Sequence, residues 1–216
     1  MSSRSGLQTV AGFVEPMVAQ AGVLPDTGLE SLERLLDEKR QQLNYVDALF
    51  ITDTSGNLLY DSEESGAQKL ASWDFLRAQL ASSDRDGVIT PLHPNPKTGQ
   101  LAIWNARPLR SPSEELAGYL VARHTPAMLA DSLARLSMSE GQSIAILDTT
   151  MTLVGRLPAD GDLVHTGIRV KEPHTRDFID SGQDSAPGVH RLTGGWCTTS
   201  LHVPAGEGYA LSGDCR

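Results

Sequence analysis

The residues best equipped for chemistry are six histidines, two cysteines and a few tryptophans and arginines. His93, His124, His165, His174, His190 and His202 are scattered along the chain. His165 and His174 share a polar stretch rich in Pro and Gly, at a spacing unlike that of known metal ligands, so no shared metal is expected. The chain has no Gly-x-Ser-x-Gly elbow, His-Glu-x-x-His pair, Walker loop or dinucleotide fingerprint. Neither an activated nucleophile nor a cofactor is therefore expected. Asp53 and Asp148 each stand where a strand enters a turn, a place where carboxylates accept backbone N–H groups, so both are read as structural. The aromatic and cationic set says more. Arg77 follows Trp73 by one helical turn, so the two can point the same way. Trp104 and Arg107 fall on one predicted strand, where strict alternation puts them on opposite faces unless a bulge intervenes. An aromatic beside a guanidinium on a neighbouring element would make a small-anion or carboxylate pocket, with Tyr119 as a further aromatic wall. The competing reading makes Trp73 a core residue and Arg77 surface charge.

The elements that must position these groups follow from periodicity. Leu7, Val10, Phe13, Val14, Met17, Val18 and Ala21 form a helical stripe, interrupted by Gly22 and Pro25. A second helix opens with the capping box Thr27–Glu30 and carries Leu29, Leu32, Leu35, Leu36 and Leu43. The period then shortens. Ala48–Asp53 and Leu58–Tyr60 read as strands around the turn Thr54-Ser55-Gly56-Asn57. A short helix covers Trp73–Leu80, Val88-Ile89 begins a strand, and Pro91–Gly99 reads as a loop. Leu101–Leu109 and Tyr119–Ala122 are predicted strands, and Pro126 opens a helix to about Leu136.

This layout then begins again. Ile51, Asp53, Thr54 and Leu58 are matched in type and order by Ile146, Asp148, Thr149 and Leu153. Gly87-Val88 is echoed by Gly188-Val189, Pro108 by Pro204, and Gly118-Tyr119 by Gly208-Tyr209. The series predicts two α/β modules of similar design, each with an antiparallel sheet opened by a hairpin.

Composition bounds the function. The chain has 216 residues and a formal net charge of −9, which argues against nucleic-acid binding and against electrostatic attachment to an anionic membrane. Apolar runs such as Ala48–Ile51 are far shorter than a membrane span, and Met1–Gly6 holds nothing like a signal-peptide core. Cys197 and Cys215 match neither a redox Cys-x-x-Cys nor a zinc knuckle. Two buried thiols are one reading; a single disulfide is the other, if the segments lie side by side in an oxidising compartment.

Taken in order, these pieces resemble a family, the double Cache (tandem PAS-like) extracytoplasmic sensor domains of bacterial receptors. The resemblance is carried by the leading helix, the hairpin 49–58, Trp73-Asp74-Phe75-Leu76-Arg77 and Thr98–Leu109. It continues through Gly118–Ala122, Gly141–Asp148 and, most specifically, the Arg156-Leu157-Pro158 ending after the second hairpin. It implies an α+β fold: an N-terminal helical spine (1–43), a membrane-distal module with a linking helix (44–136) and a membrane-proximal module (137–216). It further implies a non-catalytic input domain in the periplasm, anchored by inner-membrane spans outside this sequence. The expected partners are a small-molecule ligand bound in the distal module and a second copy meeting it through the N-terminal helix. The favoured output is a diguanylate cyclase, with a histidine kinase or chemoreceptor as the alternative. A stand-alone hydrolase using His93 or His124 with a nearby Asp is the lesser alternative. The expected ligand contacts are Trp73, Arg77, Trp104, Arg107, Tyr119 and His124, and a periplasmic setting would bring a Cys197–Cys215 disulfide level with the reading as two thiols. Amino-acid-sensing members place an aspartate where Ala122-Arg123-His124 stands here. The expected ligand is therefore a carboxylate or other anion, met by Arg77, Arg123 or His124, rather than a zwitterionic amino acid.

Overall fold

A computed structural model describes residues 29–43, 45–81, 87–111, 113–135, 142–148, 150–157, 167, 169, 187–190, 197–202 and 209–215. The predicted stripe over 7–21, His165, His174 and Pro204 lie outside these residues. The chain divides into two compact units, Met1–Thr125 and Pro126–Arg216.

In the first unit, helix α1 (Leu29–Gln42) precedes the hairpin β1 (Ala48–Thr52) and β2 (Leu58–Asp61). Helix α2 (Trp73–Ala81), β3 (Val88–Ile89), β4 (His93–Pro94), β5 (Leu101–Arg110) and β6 (Leu116–His124) follow. The strands form one antiparallel sheet in the order β2-β1-β6-β5-β3, with β4 also on β5. The pairing His93↔Ala102 lies inside the segment read from sequence as a plain loop. A two-residue strand containing Pro94 carries no apolar alternation to announce it, and such a proline is tolerated at a sheet margin.

Alternation gives this sheet two apolar faces. Leu49, Ile51, Leu109, Leu120 and Ala122 pack with Leu36 of α1, Val46 and Tyr60. Ala48, Phe50, Ala102, Trp104, Ala106 and Val121 pack with Trp73 and Leu76 of α2 and with Leu70. Every residue of β1 is buried, as expected of a strand covered on both sides. Tyr60 Oη donates to Asp37 at 2.7 Å, tying α1 to the hairpin.

In the second unit, helix α3 (Pro126–Leu133) is followed by β7 (Gln142–Leu147), β8 (Leu153–Leu157), β9 (Pro187–His190), β10 (Cys197–His202) and β11 (Tyr209–Cys215). Its sheet is antiparallel in the order β8-β7-β11-β10-β9. Helix α3 belongs to the second unit, whose strand β8 it packs on.

Both sheets open with the same turn. Asp53 Oδ1 accepts the N–H groups of Ser55 and Asn57 at 2.8 and 2.9 Å. Asp148 Oδ1 accepts those of Thr150 and Thr152 at the same distances. Each hairpin also slips register at its turn, after Ile51 and after Ile146. Burial opposes the charge of Asp53, yet the bonds from Asn57, Ser55 and Gly56 hold its carboxyl below its ordinary value. Both aspartates thus act as turn acceptors, as their position in the sequence leads one to expect.

Candidate functional site

Among the described residues, aromatic and buried polar side chains gather on the first unit's sheet face beneath α2. Period-two alternation brings Phe50 and Thr52 of β1, Tyr119 and Val121 of β6, and Trp104 of β5 to this face. Helix α2 contributes Trp73, whose ring lies 5.6 Å from that of Tyr119, while Trp104 lies 6.0 Å from Phe50. Both separations fall in the range of favourable aromatic pairs. At the edge of this face Phe75 stacks on His93, with centroids 3.7 Å apart and planes 8° off parallel. Burial lowers the pKa of His93, favouring the neutral ring in that stack.

Three polar atoms in this region are buried and have no hydrogen-bond partner among the described residues: Trp104 Nε1, Thr52 Oγ1 and Ser72 Oγ. Thr52 and Trp104 are 0% and 1% exposed. Ser72 precedes the first residue of α2, where a serine hydroxyl usually caps a helix N–H; here it does not. Trp104 is held in place through its backbone: its N–H donates to Thr90 Oγ1 at 3.0 Å, and that hydroxyl donates to the Pro91 carbonyl at 2.9 Å.

Of the residues singled out from sequence, the structure brings Trp73, Trp104 and Tyr119 to this face. Arg77 is exposed and stands apart from the aromatic cluster. The buried stripe of α2 runs through Trp73 and Leu76 with Leu80 beside them, and the fourth residue after Trp73 is turned past its flank toward water. Arg107 lies on the opposite face from Trp104, as alternation requires, because the register irregularity of β5 comes only after Leu109. His124 falls on the α1 side, in alternation with Leu120 and Ala122. Its Nδ1 donates to the Tyr45 carbonyl at 2.8 Å, and its ring stacks on that of Tyr45 at 5.8 Å.

One constellation escaped the sequence. Arg123 makes a two-pronged bond to Glu63, Nη1 to Oε2 at 2.9 Å and Nη2 to Oε1 at 2.7 Å, and its Nε donates to Asp47 at 2.8 Å. Burial opposes the guanidinium charge, but the bonds to Glu63 and Asp47 outweigh it and raise its pKa. Two carboxylates thus surround one cation, and Arg123 is committed to them. The partners are separated by 60 and 76 positions, so no local spacing could have signalled the group.

No family model matches the sequence, and no curated protein matches it. Solved structures do. The extracellular domain of rpHK1S-Z16, assigned as a histidine kinase, aligns with a TM-score of 0.74 at 15% identity over 99% of this chain and 88% of that one. The sensory domain of the Campylobacter jejuni chemoreceptor Tlp3 (CcmL) with isoleucine bound aligns at 0.63 and 10% identity, over 99% and 82%. Methyl-accepting chemotaxis protein X aligns at 0.64 and 12% identity, over 99% and 92%. The chain therefore shares the fold of these extracellular and sensory domains, a mixed α+β architecture with antiparallel sheets.

Proposed function

We propose that this chain is the extracytoplasmic sensory part of a membrane receptor and that it binds a small molecule between α2 and the sheet of its first unit. The observation that carries this reading is the trio of buried, unpartnered polar atoms, Trp104 Nε1, Thr52 Oγ1 and Ser72 Oγ, in a region otherwise built of aromatic and aliphatic groups. Each such atom costs about 1–3 kcal/mol while unsatisfied, so natural structures keep few of them without a purpose. A ligand with an apolar body and one or two polar atoms would satisfy them. Because Arg123 is already paired and Arg77 is exposed, a ligand carboxylate would meet Trp104 Nε1 and the hydroxyls rather than a guanidinium. Tlp3 structures hold isoleucine, norvaline or valine, which makes aliphatic amino acids the first probes, alongside simple carboxylates, amines and nucleobases.

The two units, with their matching strand orders and hairpin turns, are read as tandem Cache-like modules, the first one distal and the second proximal to the membrane. The matched sensory domains belong to a histidine kinase and to chemoreceptors, so an output of one of these kinds is favoured over a diguanylate cyclase. Ligand binding would act by favouring one of two arrangements of the first unit, with a homodimer formed through residues 1–43 carrying the bias onward.

The test is a thermal-shift screen followed by calorimetry, since a molecule that binds only the folded state must raise its apparent stability. Trp104→Phe keeps an aromatic ring there but replaces the indole and so removes its N–H, and should weaken the hit about tenfold, the worth of one hydrogen bond. Arg77→Ala should leave affinity unchanged within about twofold. A panel with no stabilising compound, or a hit indifferent to Trp104→Phe, would overturn the assignment.

A further inference from the structure

We infer that Cys197 and Cys215 form an intrachain disulfide that staples the last two strands of the second unit, with His190 as the neighbouring base that readies Cys197 for oxidation. The backbone register carries the inference. The ladder of β10 and β11 places Cys197 directly opposite Cys215. Directly opposed residues of an antiparallel pair share a face and have Cα atoms about 4.5–5.5 Å apart, inside the roughly 4.4–6.8 Å that a disulfide spans. These are the only two cysteines in the chain, and they fall on a single rung. On its other side β10 pairs with β9, and the residue opposite Cys197 is His190. One cross-strand row thus reads His190, Cys197, Cys215. An imidazole on the adjacent strand is suited to accept the thiol proton and to stabilise the thiolate, the form that reacts.

The chemistry balances with an external disulfide as oxidant, such as glutathione disulfide or a disulfide-carrying oxidoreductase. The Cys197 thiolate attacks one sulfur of the oxidant and expels the other as a thiolate. The Cys215 thiolate then displaces the remaining half from the mixed disulfide. One S–S bond forms within the chain and one breaks in the oxidant. Two electrons pass to the oxidant, which also takes up the two protons. The staple closes the loop between the two strands and pins their register at the end of the ladder. It is independent of the sensing proposal, because it would form whether or not the first unit binds a ligand.

The test uses the full chain, reduced and then exposed to a glutathione redox buffer at pH 7.5. After unfolding without reductant and alkylation, the expected result is no labelled cysteine, a monomeric mass lower by two hydrogens, and a tryptic peptide pair joining Cys197 to Cys215. The oxidised chain should melt roughly 5–10 °C above the reduced one, as closing a loop of this length implies. Two labelled thiols per chain, or a disulfide-linked dimer instead of the intrachain bond, would overturn the staple. His190→Gln should slow oxidation about threefold or more while leaving the final extent unchanged; a wild-type rate would remove His190 from the proposal.

Discussion

Arg123 shows how a single side chain can be withdrawn from ligand chemistry by its surroundings. Read along the strand, it is the next-to-last residue of β6, and it invites assignment as an anion contact. In the fold its Nε and both Nη atoms face Asp47 and Glu63, with the arginine side chain 11% exposed against 28% and 42% for the acids. The group joins the start of β1, the segment after β2 and the end of β6, so its main task is to lock that end of the sheet. Removing the cation would leave two neighbouring carboxylates facing each other. Arg123→Met should therefore destabilise the first unit by about 2–3 kcal/mol, short of the cost of breaking a fully buried pair because Glu63 is well hydrated. Adding Asp47→Asn and Glu63→Gln to that variant should recover much of the loss. Denaturant melts of the single and triple variants check this, and equal instability of the two would contradict the pairing account.

At the scale of elements, the hairpin β1–β2 and helix α2 form one device. Gly56 adopts a φ of +86°, and a Cβ there would lie 2.2 Å from the Trp73 ring. The turn is thus compressed beneath the indole that opens α2, and the backbone N–H of Leu70 donates to the Gly56 carbonyl at 3.0 Å to hold the two together. The second unit keeps the turn but not the compression, since Met151 stands at the matching place with a φ of +66°. Gly56→Ala must both adopt a left-handed conformation and push Trp73 out of its seat, so a loss of about 2–3 kcal/mol is expected. Because Trp73 packs against Tyr119 on the proposed ligand face, the same variant should also weaken binding. A melt unchanged within about 0.5 kcal/mol would show that the turn is not coupled to the helix.

For the whole molecule, each unit contains one antiparallel sheet that begins with a hairpin. In each, the hairpin's first strand pairs with the unit's last strand, which pairs with the one before it. The first unit brings Phe50, Trp73, Trp104 and Tyr119 together over unsatisfied polar atoms; the second matches its hairpin but has Gly155 on β8 and a Gly/Pro-rich 181–195 segment. A ligand identified by thermal shift should therefore slow amide exchange in β1, α2, β5 and β6, and leave β7–β11 within about twofold of their unliganded rates. Protection confined to the second unit would reassign the sensing role between the two.

The sequence alone determined what depends on near neighbours. Period-two and helical stripes located the hairpins, the long strands and α2, because side-chain alternation is a local property of the backbone. The Asp53 and Asp148 turns were legible for the same reason, as was the separation of Trp104 from Arg107 onto opposite faces. Pairing across distance was decided only by the tertiary structure. It placed β6 between β1 and β5 and enclosed Arg123 between Asp47 and Glu63. It also turned α2 so that Trp73 is buried while Arg77 meets water, a choice that i to i+4 spacing leaves open because both orientations satisfy it. Burial is a property of what packs above a residue, and that neighbour is supplied by segments tens of positions away. So the aromatic residues of the candidate face could be picked out from the chain, whereas the unpartnered hydroxyls beside them and the surroundings of Arg77 and Arg123 emerged only once the sheet had assembled.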